Sequence, residues 1–569
     1  MVSPHALNLP RTVSGTLLYS SLTRRPGDSA AVLPIPRITG GGFLSLECLE
    51  NVRQWLKECG ARHDECPGND VVRLPTRLVE VSPPGAPESA RLRLTDGQEG
   101  RYVALSYCWG GPQPFKTITS TLVAYLAGLP YSSLPKTILD AFHVIRSLGL
   151  AYIWIDSLCI VQDDEDDKNR ELPQMRRIYA DSFVTLTAAS AVSCNDGFLD
   201  PRPSSRCPRH LSIRVDGTRL GSILVSNKQE TLEFSDQANQ PINDRAWTLQ
   251  EAWLSRRLLV FSGLAVFWKC GMPEWQIWRP GLNRDACEES DSESKTIDHV
   301  LNSEKIMKSV WGEHSGYVKK DFSRARETWE SLVNNYTNRQ LTVERDKLPA
   351  LSAIAETFSP FLGGGYLAGL WRQHLVRDVL WFTEGPGSRF IGHGPTWSWA
   401  SNAGPIKFAL RRLSYWNIHP SASIVDCSVV LAAEGVTYGA VESGELVIEG
   451  YLADLAPLGD DAEIFWDDPG RHRGGTQEGP PGGPEEAGVE ASEHPGPVPV
   501  VSYWALTIAA GHIIQVGSEA DPTHMLGLVL TSTEPESGGG LFRRVGYFVL
   551  HSEDKGCWQG QGRRVVRIV

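Results

Sequence analysis

The sequence predicts an α/β fold in which a mostly parallel sheet carries flanking helices. Three short, almost wholly apolar segments have the composition of strands buried on both faces of such a sheet. Helical patterns at 133–149 and 169–181 separate these segments, and a β–α–β–α–β order favours parallel strands joined by right-handed crossovers. The three strand segments are VALSY at 103–107, AYIWIDSLCIV at 151–161 and FVTLTAA at 183–189.

The helix predicted at 133–149 has the clearest boundaries. Ser133 can cap its start, Pro135 suits its first turn, and Gly149 can end it. A buried stripe at helical spacing is formed by Ile138, Phe142, Ile145 and Leu148.

The flanking sequence predicts further segments around a central domain at 102–256. A poorly ordered leader, rich in proline, glycine and serine, is followed by a helix and strands that pack on the central domain. A mainly helical extension then leads to a small antiparallel β domain with a glycine- and proline-rich disordered insert. The expected bounds are 1–45, 46–101, 257–405 and 406–569, with the insert at about 467–498.

Composition limits the function classes. The net charge of −12, with no long basic tract, argues against nucleic-acid binding. The longest apolar run, at 258–268, is far shorter than the roughly 20 residues of a membrane helix. We see no signal peptide, so the 11 cysteines are expected to be reduced thiols of a cytoplasmic protein. The 18 tryptophans predict large buried aromatic clusters.

The segment CGARHDEC contains candidate zinc ligands. Cys59, His63 and Cys66 could supply three ligands of a zinc site, with Cys48 as the only nearby fourth candidate. Because a second ligand pair is missing, the default expectation is no metal and a helix end with buried thiols.

The carboxyl end of the first central strand is the expected ligand site. VALSY runs into the glycine turn CWGG, and open α/β sheets bind ligands where their strands end. Ser106, Tyr107 and Trp109 would lie there, although a core strand with an aromatic plug fits Trp109 as well. Asp156 interrupts the apolar segment 151–161, where a carboxylate needs a partner, and Arg245 is a candidate.

The segment RAWTLQEAWLSRR, at 245–257, predicts a short amphipathic helix. Trp247 and Glu251 are four residues apart and therefore share one face. A glutamate beside an indole is partly desolvated, so its pKa can be tuned for catalysis. The alternative is an ordinary helix with an aromatic core face and a solvated carboxylate.

An acidic run, QDDEDD at 162–167, follows the second central strand. Together with Asp156, the carboxylates of Asp163 and Asp164 could hold Mg²⁺ for a hydrolase. We favour a solvated loop that leads into a helix, because helix N-termini favour acidic residues.

Several of these segments together resemble the fungal heterokaryon-incompatibility (HET) domain. The collinear blocks are YVALSYCWG, LPKTILDAFHVIRSLGLAYIWIDSLCIVQDD, the helix from Met175 to Ala180, and RAWTLQEAWLS. They span about 102–256, and later segments such as PTWSWAS resemble the region that follows this domain in many family members.

This resemblance implies a role in fungal non-self recognition that ends in growth arrest or cell death. It also implies a TIR-like, flavodoxin-like fold, and some TIR domains hydrolyse NAD. By that resemblance Glu251 would be catalytic, with Ser106, Tyr107 and Trp247 in the same substrate site. The strand ends and the buried carboxylate add Trp109, Asp156 and Arg245 as expected substrate-binding residues. No cofactor is expected; NAD would be the substrate.

The resemblance leaves a non-enzymatic role open. Residues 190–244, with strand-like LSIRV and SILVS, separate the helix at 245–257 from its strand, whereas in TIR domains the two are close. The domain would then act by self-association or through a protein partner.

Overall fold

The computed structural model describes most of the chain between residues 20 and 569. The described residues are 20–24, 43–63, 66, 71–81, 89–200, 209–215, 218–227, 240–263, 265–271, 276–278, 322–383, 393–409, 416–455, 462–467, 503–513, 524–533, 541–551 and 562–569. The predicted insert lies outside them from residue 468 onwards, as does most of the predicted leader.

The chain forms two compact units, and neither is continuous in sequence. The first unit comprises Met1–Asp164, Ser182–Ile242 and Arg256–Asn302. The second comprises Glu165–Asp181, Asn243–Ser255 and Ser303–Val569.

The first unit is built from thirteen described strands and four described α-helices. The strands are β1 (Ser20–Arg24), β2 (Val72–Arg73), β3 (Arg77–Val81), β4 (Ala90–Leu94), β5 (Glu99–Gly100), β6 (Val103–Ser106), β7 (Tyr152–Trp154), β8 (Val184–Ala188), β9 (Arg209–Val215), β10 (Thr218–Asn227), β11 (Leu258–Phe261), β12 (Val266–Lys269) and β13 (Gln276–Trp278). The helices are α1 (Leu46–Arg62), α2 (Leu122–Ala127), α3 (Lys136–Ser147) and α4 (Asp156–Cys159).

An eight-stranded mixed sheet organises the first unit, in the order β13-β12-β11-β8-β6-β7-β3-β4. Its centre is parallel, because β6 pairs in parallel with β7 and β8, and β8 with β11. Antiparallel strands extend both edges. The α/β class is therefore confirmed, while the likeness to TIR domains stays a prediction.

Burial explains why the central strands read as apolar runs. Every residue of β6 and β8 is buried, as expected for parallel strands covered on both faces. Two of the predicted strands in the intervening segment also form: β9 and β10 pair with each other, and β1 adds to β10.

The predicted helix at 133–149 starts later than its sequence suggested. Ser133 ends a separate 3₁₀ turn, and α3 begins after Pro135, which occupies the cap position. The end agrees better, since Gly149 adopts a φ of 74°, a conformation that glycine tolerates.

The predicted strand at 151–161 is also shorter than expected. Only Tyr152–Trp154 is a strand, and Asp156 starts the helical turn α4 rather than interrupting a strand. The reason is local: the Oδ1 atom of Asp156 accepts the backbone N–H of Ser157 at 2.7 Å, a contact at a helix start.

The second unit contains six described α-helices and twelve described strands. The helices are α5 (Glu165–Glu171), α6 (Met175–Ala180), α7 (Trp247–Leu254), α8 (Phe322–Thr337), α9 (Ser352–Phe358) and α10 (Leu375–Asp378). The strands are β14 (Tyr366–Leu367), β15 (Leu370–Trp371), β16 (Trp381–Thr383), β17 (Ile406–Phe408), β18 (Trp416–Pro420), β19 (Ser423–Leu431), β20 (Val441–Asp454), β21 (Ala462–Trp466), β22 (Tyr503–Ile513), β23 (His524–Ser532), β24 (Leu541–His551) and β25 (Arg563–Ile568).

The C-terminal strands form a barrel-like sheet rather than an open one. Five strands close a ring in the order β22-β23-β24-β25-β20, because β20 pairs with both β22 and β25. Most pairs are antiparallel, as predicted, but β24 and β25 run parallel.

Aromatic side chains fill the core of the second unit, as the tryptophan content predicted. Trp329 lies 5.5 Å from both Phe358 and Trp371, measured between ring centroids. Trp381, Trp397 and Trp399 are also fully buried. Among the described residues, no helix combines the length and apolarity needed to cross a membrane.

Candidate functional site

A tight turn at the end of β6 carries Trp109. Gly110 and Gly111 have φ angles of 72° and 126°, which residues with side chains rarely adopt. A Cβ atom on Gly110 would lie 2.2 Å from the Cβ of Ser193, so the turn passes too close to this neighbour for any other residue. The glycine pair thus fixes the position of the indole.

Trp109 and Asp156, which we call the edge pair, meet at the carboxyl edge of two parallel strands. The Nε1 atom of Trp109 donates a 2.9 Å hydrogen bond to Oδ2 of Asp156. Both residues are half-buried, in contrast to β6, whose residues are all buried. The edge pair therefore offers an aromatic face and a carboxylate where α/β sheets commonly bind ligands.

The two residues before the turn are buried. Ser106 is 2% exposed, and Tyr107 donates from its hydroxyl to Ser157 Oγ at 2.9 Å while it accepts from Gln113 Nε2. Burial, followed by the charge of Asp156, raises the pKa of Tyr107 well above its usual value. Tyr107 is therefore a neutral donor that holds the first turn of α4 against β6.

The helix that carries Glu251 belongs to the second unit. Trp247 is half-buried, and its Nε1 donates to Oδ2 of Asp346 at 3.3 Å. Glu251 is 6% exposed, and its backbone carbonyl accepts the hydroxyl of Ser255 at 2.6 Å. Next along the helix, the side chain of Gln250 accepts the backbone N–H of Ala353 at 3.1 Å.

Arg339 joins the start of α7 to the helical part of the same unit. Its guanidinium donates to the carbonyl of Arg245 at 3.3 Å and to Oγ1 of Thr248 at 3.2 Å. Burial lowers the pKa of Arg339 to about 10, and the negative charges of Asp244 and Glu251 oppose that shift. Glu251 thus lies in the electrostatic field of a half-buried cation.

The predicted site residues therefore fall into two groups. Ser106, Tyr107, Trp109 and Asp156 belong to the first unit, and the structure brings the last three into one hydrogen-bonded group with Ser157. Arg245, Trp247 and Glu251 belong to the second unit, on and just before α7. The expected pairing of Asp156 with Arg245 stays a prediction.

The acidic run holds local contacts. Asp163 accepts the backbone N–H of Thr119 at 2.8 Å and its hydroxyl at 3.0 Å, and the backbone bond is the largest cause of its lowered pKa. Asp167 is buried and pairs with Arg170 at 2.9 Å. In the described part of the chain, metal-binding side chains group at one place only, and these aspartates are not in it.

That one place contains the predicted metal candidates. The ligand atoms of Cys59, His63, Cys66 and Cys270, which we call the cysteine–histidine cluster, all lie within 4.8 Å of one another. Hydrogen bonds with Cys270 and Cys66 lower the pKa of Cys59, with a further contribution from Arg257.

The fourth member of this cluster differs from the sequence expectation. Cys48 is buried but outside the cluster, and burial, followed by Glu47, raises the pKa of its thiol to about 12. Cys270 takes the fourth place although it follows Cys66 by about 200 residues. The spacing patterns of zinc sites relate ligands that are close in sequence, so they did not identify Cys270.

Comparison with known proteins gave one match. Residues 102–251 match the family model described as Heterokaryon incompatibility protein (HET). The matched block begins one residue before β6 and ends at Glu251, so it contains every residue of the predicted site. No curated protein and no solved structure matches the chain.

Proposed function

We propose that this chain, whose residues 102–251 form a heterokaryon-incompatibility (HET) domain, promotes cell death or growth arrest when incompatible cells fuse. The domain supports involvement in heterokaryon incompatibility. The proposed chemical step is hydrolysis of NAD, and the observation that carries it is the edge pair at the carboxyl ends of β6 and β7.

The topology of the first unit supports this step. The four central parallel strands lie in the order β7-β6-β8-β11, that is second, first, third and fourth along the chain. Flavodoxin-like sheets share that order, and they bind nucleotides beyond the carboxyl end of the first strand. Here the first strand is β6, which leads directly into Trp109.

The reaction requires few catalytic side chains. The bond between the nicotinamide nitrogen and ribose C1′ breaks, and its electron pair neutralises the positively charged pyridinium ring. Water adds to C1′ and releases a proton. A carboxylate stabilises the oxocarbenium-like transition state, a role that we assign to Glu251 because the family resemblance implies it.

The enzymatic proposal is tested by nicotinamide release from NAD. We expect release by the purified full-length chain and a loss of at least about 100-fold for Glu251→Gln, as is common when a transition-state charge is not stabilised. Asp156→Asn should weaken NAD binding by removing the negative charge of the edge pair. The control, Glu356→Gln, changes an exposed glutamate of the same unit that pairs with Arg176. Equal release by wild type and Glu251→Gln would end the assignment.

A second candidate function is a non-enzymatic assembly module. The contacts of α7 favour it, because Trp247, Gln250 and Thr248 all use their polar atoms to hold the helix within its own unit. On this view the domain acts by self-association or through a protein partner. Expression of wild type and of Glu251→Gln in cells distinguishes the two functions. The assembly module is favoured if wild type kills cells although neither chain changes the level of cellular NAD.

A further inference from the structure

We propose that Cys59, His63, Cys66 and Cys270 bind one Zn²⁺ ion that ties the end of α1 to the end of β12. Cys59 lies in the last turn of α1, His63 is the residue that caps it, and Cys66 follows in the next turn. Cys270 comes directly after β12. All four residues belong to the first unit.

The distances within the cluster are those of ligands around a single ion. Zinc bond lengths of about 2.3 Å to sulfur and about 2.0 Å to nitrogen place tetrahedral sulfur and nitrogen ligands about 3.5 Å apart. The Nδ1 atom of His63 lies 3.4 Å from Sγ of Cys270 and 3.7 Å from Sγ of Cys66. These separations bracket the tetrahedral value before any ion is placed.

The ligand types identify the metal class. Three thiols and one imidazole form a soft donor set that suits zinc and excludes magnesium and calcium, which need oxygen ligands. Because all four ligand atoms lie within 4.8 Å of one another, they surround one ion rather than a polynuclear iron–sulfur cluster. A disulfide would use two of the cysteines and leave the third thiol and the imidazole unexplained.

A buried cation completes the charge balance. Zn²⁺ with three thiolates carries one net negative charge, and the Nε atom of Arg257 donates to Sγ of Cys59 at 3.2 Å. Arg257 is 4% exposed and is itself held by the carbonyl and the ring of Phe183. The loaded site would thus be neutral within a buried environment, which lowers the cost of placing an ion there.

The site is of the structural kind. Four protein ligands complete a tetrahedral shell, whereas catalytic zinc keeps one position for water or substrate. The ion would fasten α1 to the end of β12 in the eight-stranded sheet, across about 200 residues of intervening chain. None of its ligands belongs to the edge pair or to α7, so NAD hydrolysis can fail while zinc binding holds.

Metal analysis of the purified full-length chain tests the site. We expect about one zinc per chain by plasma mass spectrometry, and thiolate-to-metal absorption when the chain is produced with Co²⁺. Cys270→Ser should reduce zinc content at least about tenfold, since even the loss of an outer-shell partner costs about that much affinity. The matched control is Cys48→Ser, which removes a buried thiol of the same helix and should keep the metal.

Two further measurements distinguish the loss of a zinc ligand from misfolding of a variant. His63→Cys supplies a fourth thiolate and should retain zinc. Titration of wild type with an organic mercurial should release zinc in step with modification of three thiols. Metal-free wild type, a disulfide between cluster cysteines in mass spectra, or equal zinc loss from Cys48→Ser and Cys270→Ser would overturn the proposal.

Discussion

The indole nitrogen of Trp109 and the carboxylate of Asp156 are joined by a 2.9 Å hydrogen bond that links the ends of two parallel strands. The same carboxylate accepts the backbone N–H of Ser157, so it ties the turn after β6 to the start of α4. This arrangement gives the carboxyl edge of the sheet a fixed aromatic face. It also leaves both groups half-exposed, where a ligand can reach them.

A double-mutant cycle should measure the strength of the edge pair. Trp109→Phe removes the donor and Asp156→Ala removes the acceptor, and the free energies of unfolding should show a coupling of about 1–2 kcal/mol. The value is at the low end for a charged acceptor because both residues are half-exposed. The measurement is urea unfolding of the four chains followed by tryptophan fluorescence and circular dichroism.

A second double-mutant cycle, between Trp109 and Asp163, is the control for the edge pair. Asp163 accepts from Thr119 and makes no hydrogen bond to Trp109 among the contacts described. The effects of Trp109→Phe and Asp163→Ala should therefore add within about 0.5 kcal/mol. Equal coupling in both cycles would mean that Trp109 acts through general packing rather than through Asp156.

Part of the carboxyl edge of the central sheet could be predicted, because it is formed by residues that are close to one another in sequence. The apolar strand and the glycine turn placed Ser106, Tyr107 and Trp109 at the carboxyl edge, whereas Asp156 was expected inside its strand with Arg245 as a candidate partner. The role of Asp156 as a helix start was not predicted, since an apolar run that continues beyond a strand does not reveal where helical backbone begins. Cys270 could not be predicted either, because β12 is brought to α1 only by the whole sheet.

Gly110, which directly follows Trp109 in the glycine turn, should be intolerant of any side chain. Gly110→Ala places a Cβ 2.2 Å from Ser193 Cβ and 2.5 Å from its Cα, and it also adopts an unfavourable φ of 72°. The backbone strain costs about 1–2 kcal/mol, and the steric overlap should add at least about 1 kcal/mol. Thermal and urea unfolding of the full chain will measure the sum.

The variant Gly149→Ala separates backbone strain from steric overlap as causes of the destabilisation. Gly149 has nearly the same φ, 74°, but nothing lies within 4 Å of its added Cβ. This control should show the strain alone and remain the more stable variant. The steric explanation would be refuted by equal destabilisation of the two alanine variants.

A buried aspartate in the second unit predicts a pH-dependent stability. Asp378 is 3% exposed, and burial, followed by the charge of Glu330, raises its pKa to about 8. The unfolded chain ionises this carboxyl near pH 3.9. Between these values the folded state binds the extra proton, so stability is greatest at low pH and falls as pH rises towards about 8.

The variant Asp378→Asn should remove this part of the pH dependence. Wild type is expected to lose up to about 1.4 kcal/mol per pH unit from this group over the window, whereas the amide does not titrate. Calorimetric unfolding from about pH 5 to about pH 8 therefore should show a flatter profile for the variant. The control is Asp166→Asn, at an exposed position of the same unit, which should keep the wild-type profile. Parallel profiles for Asp378→Asn and wild type would contradict the assignment of this pH dependence to Asp378.

The electrostatic relation of Glu251 to Arg339 decides how mutants of Glu251 are interpreted. Glu251 is buried, and its charge acts on the half-buried guanidinium of Arg339. Glu251→Gln should therefore lower the free energy of unfolding by about 1–3 kcal/mol, because a half-buried cation loses part of the negative charge that compensates it. In an Arg339→Met background the same substitution should cost less, since the cation is gone.

Measuring NAD breakdown in the same four chains separates catalysis from stability. A catalytic Glu251 predicts that nicotinamide release is lost in Glu251→Gln at temperatures where the protein is still folded, and that Arg339→Met retains part of the rate. A purely structural Glu251 predicts that release, where wild type shows any, follows the folded fraction in every chain. Glu356→Gln should change neither quantity, because surface ion pairs contribute only about 0–1 kcal/mol.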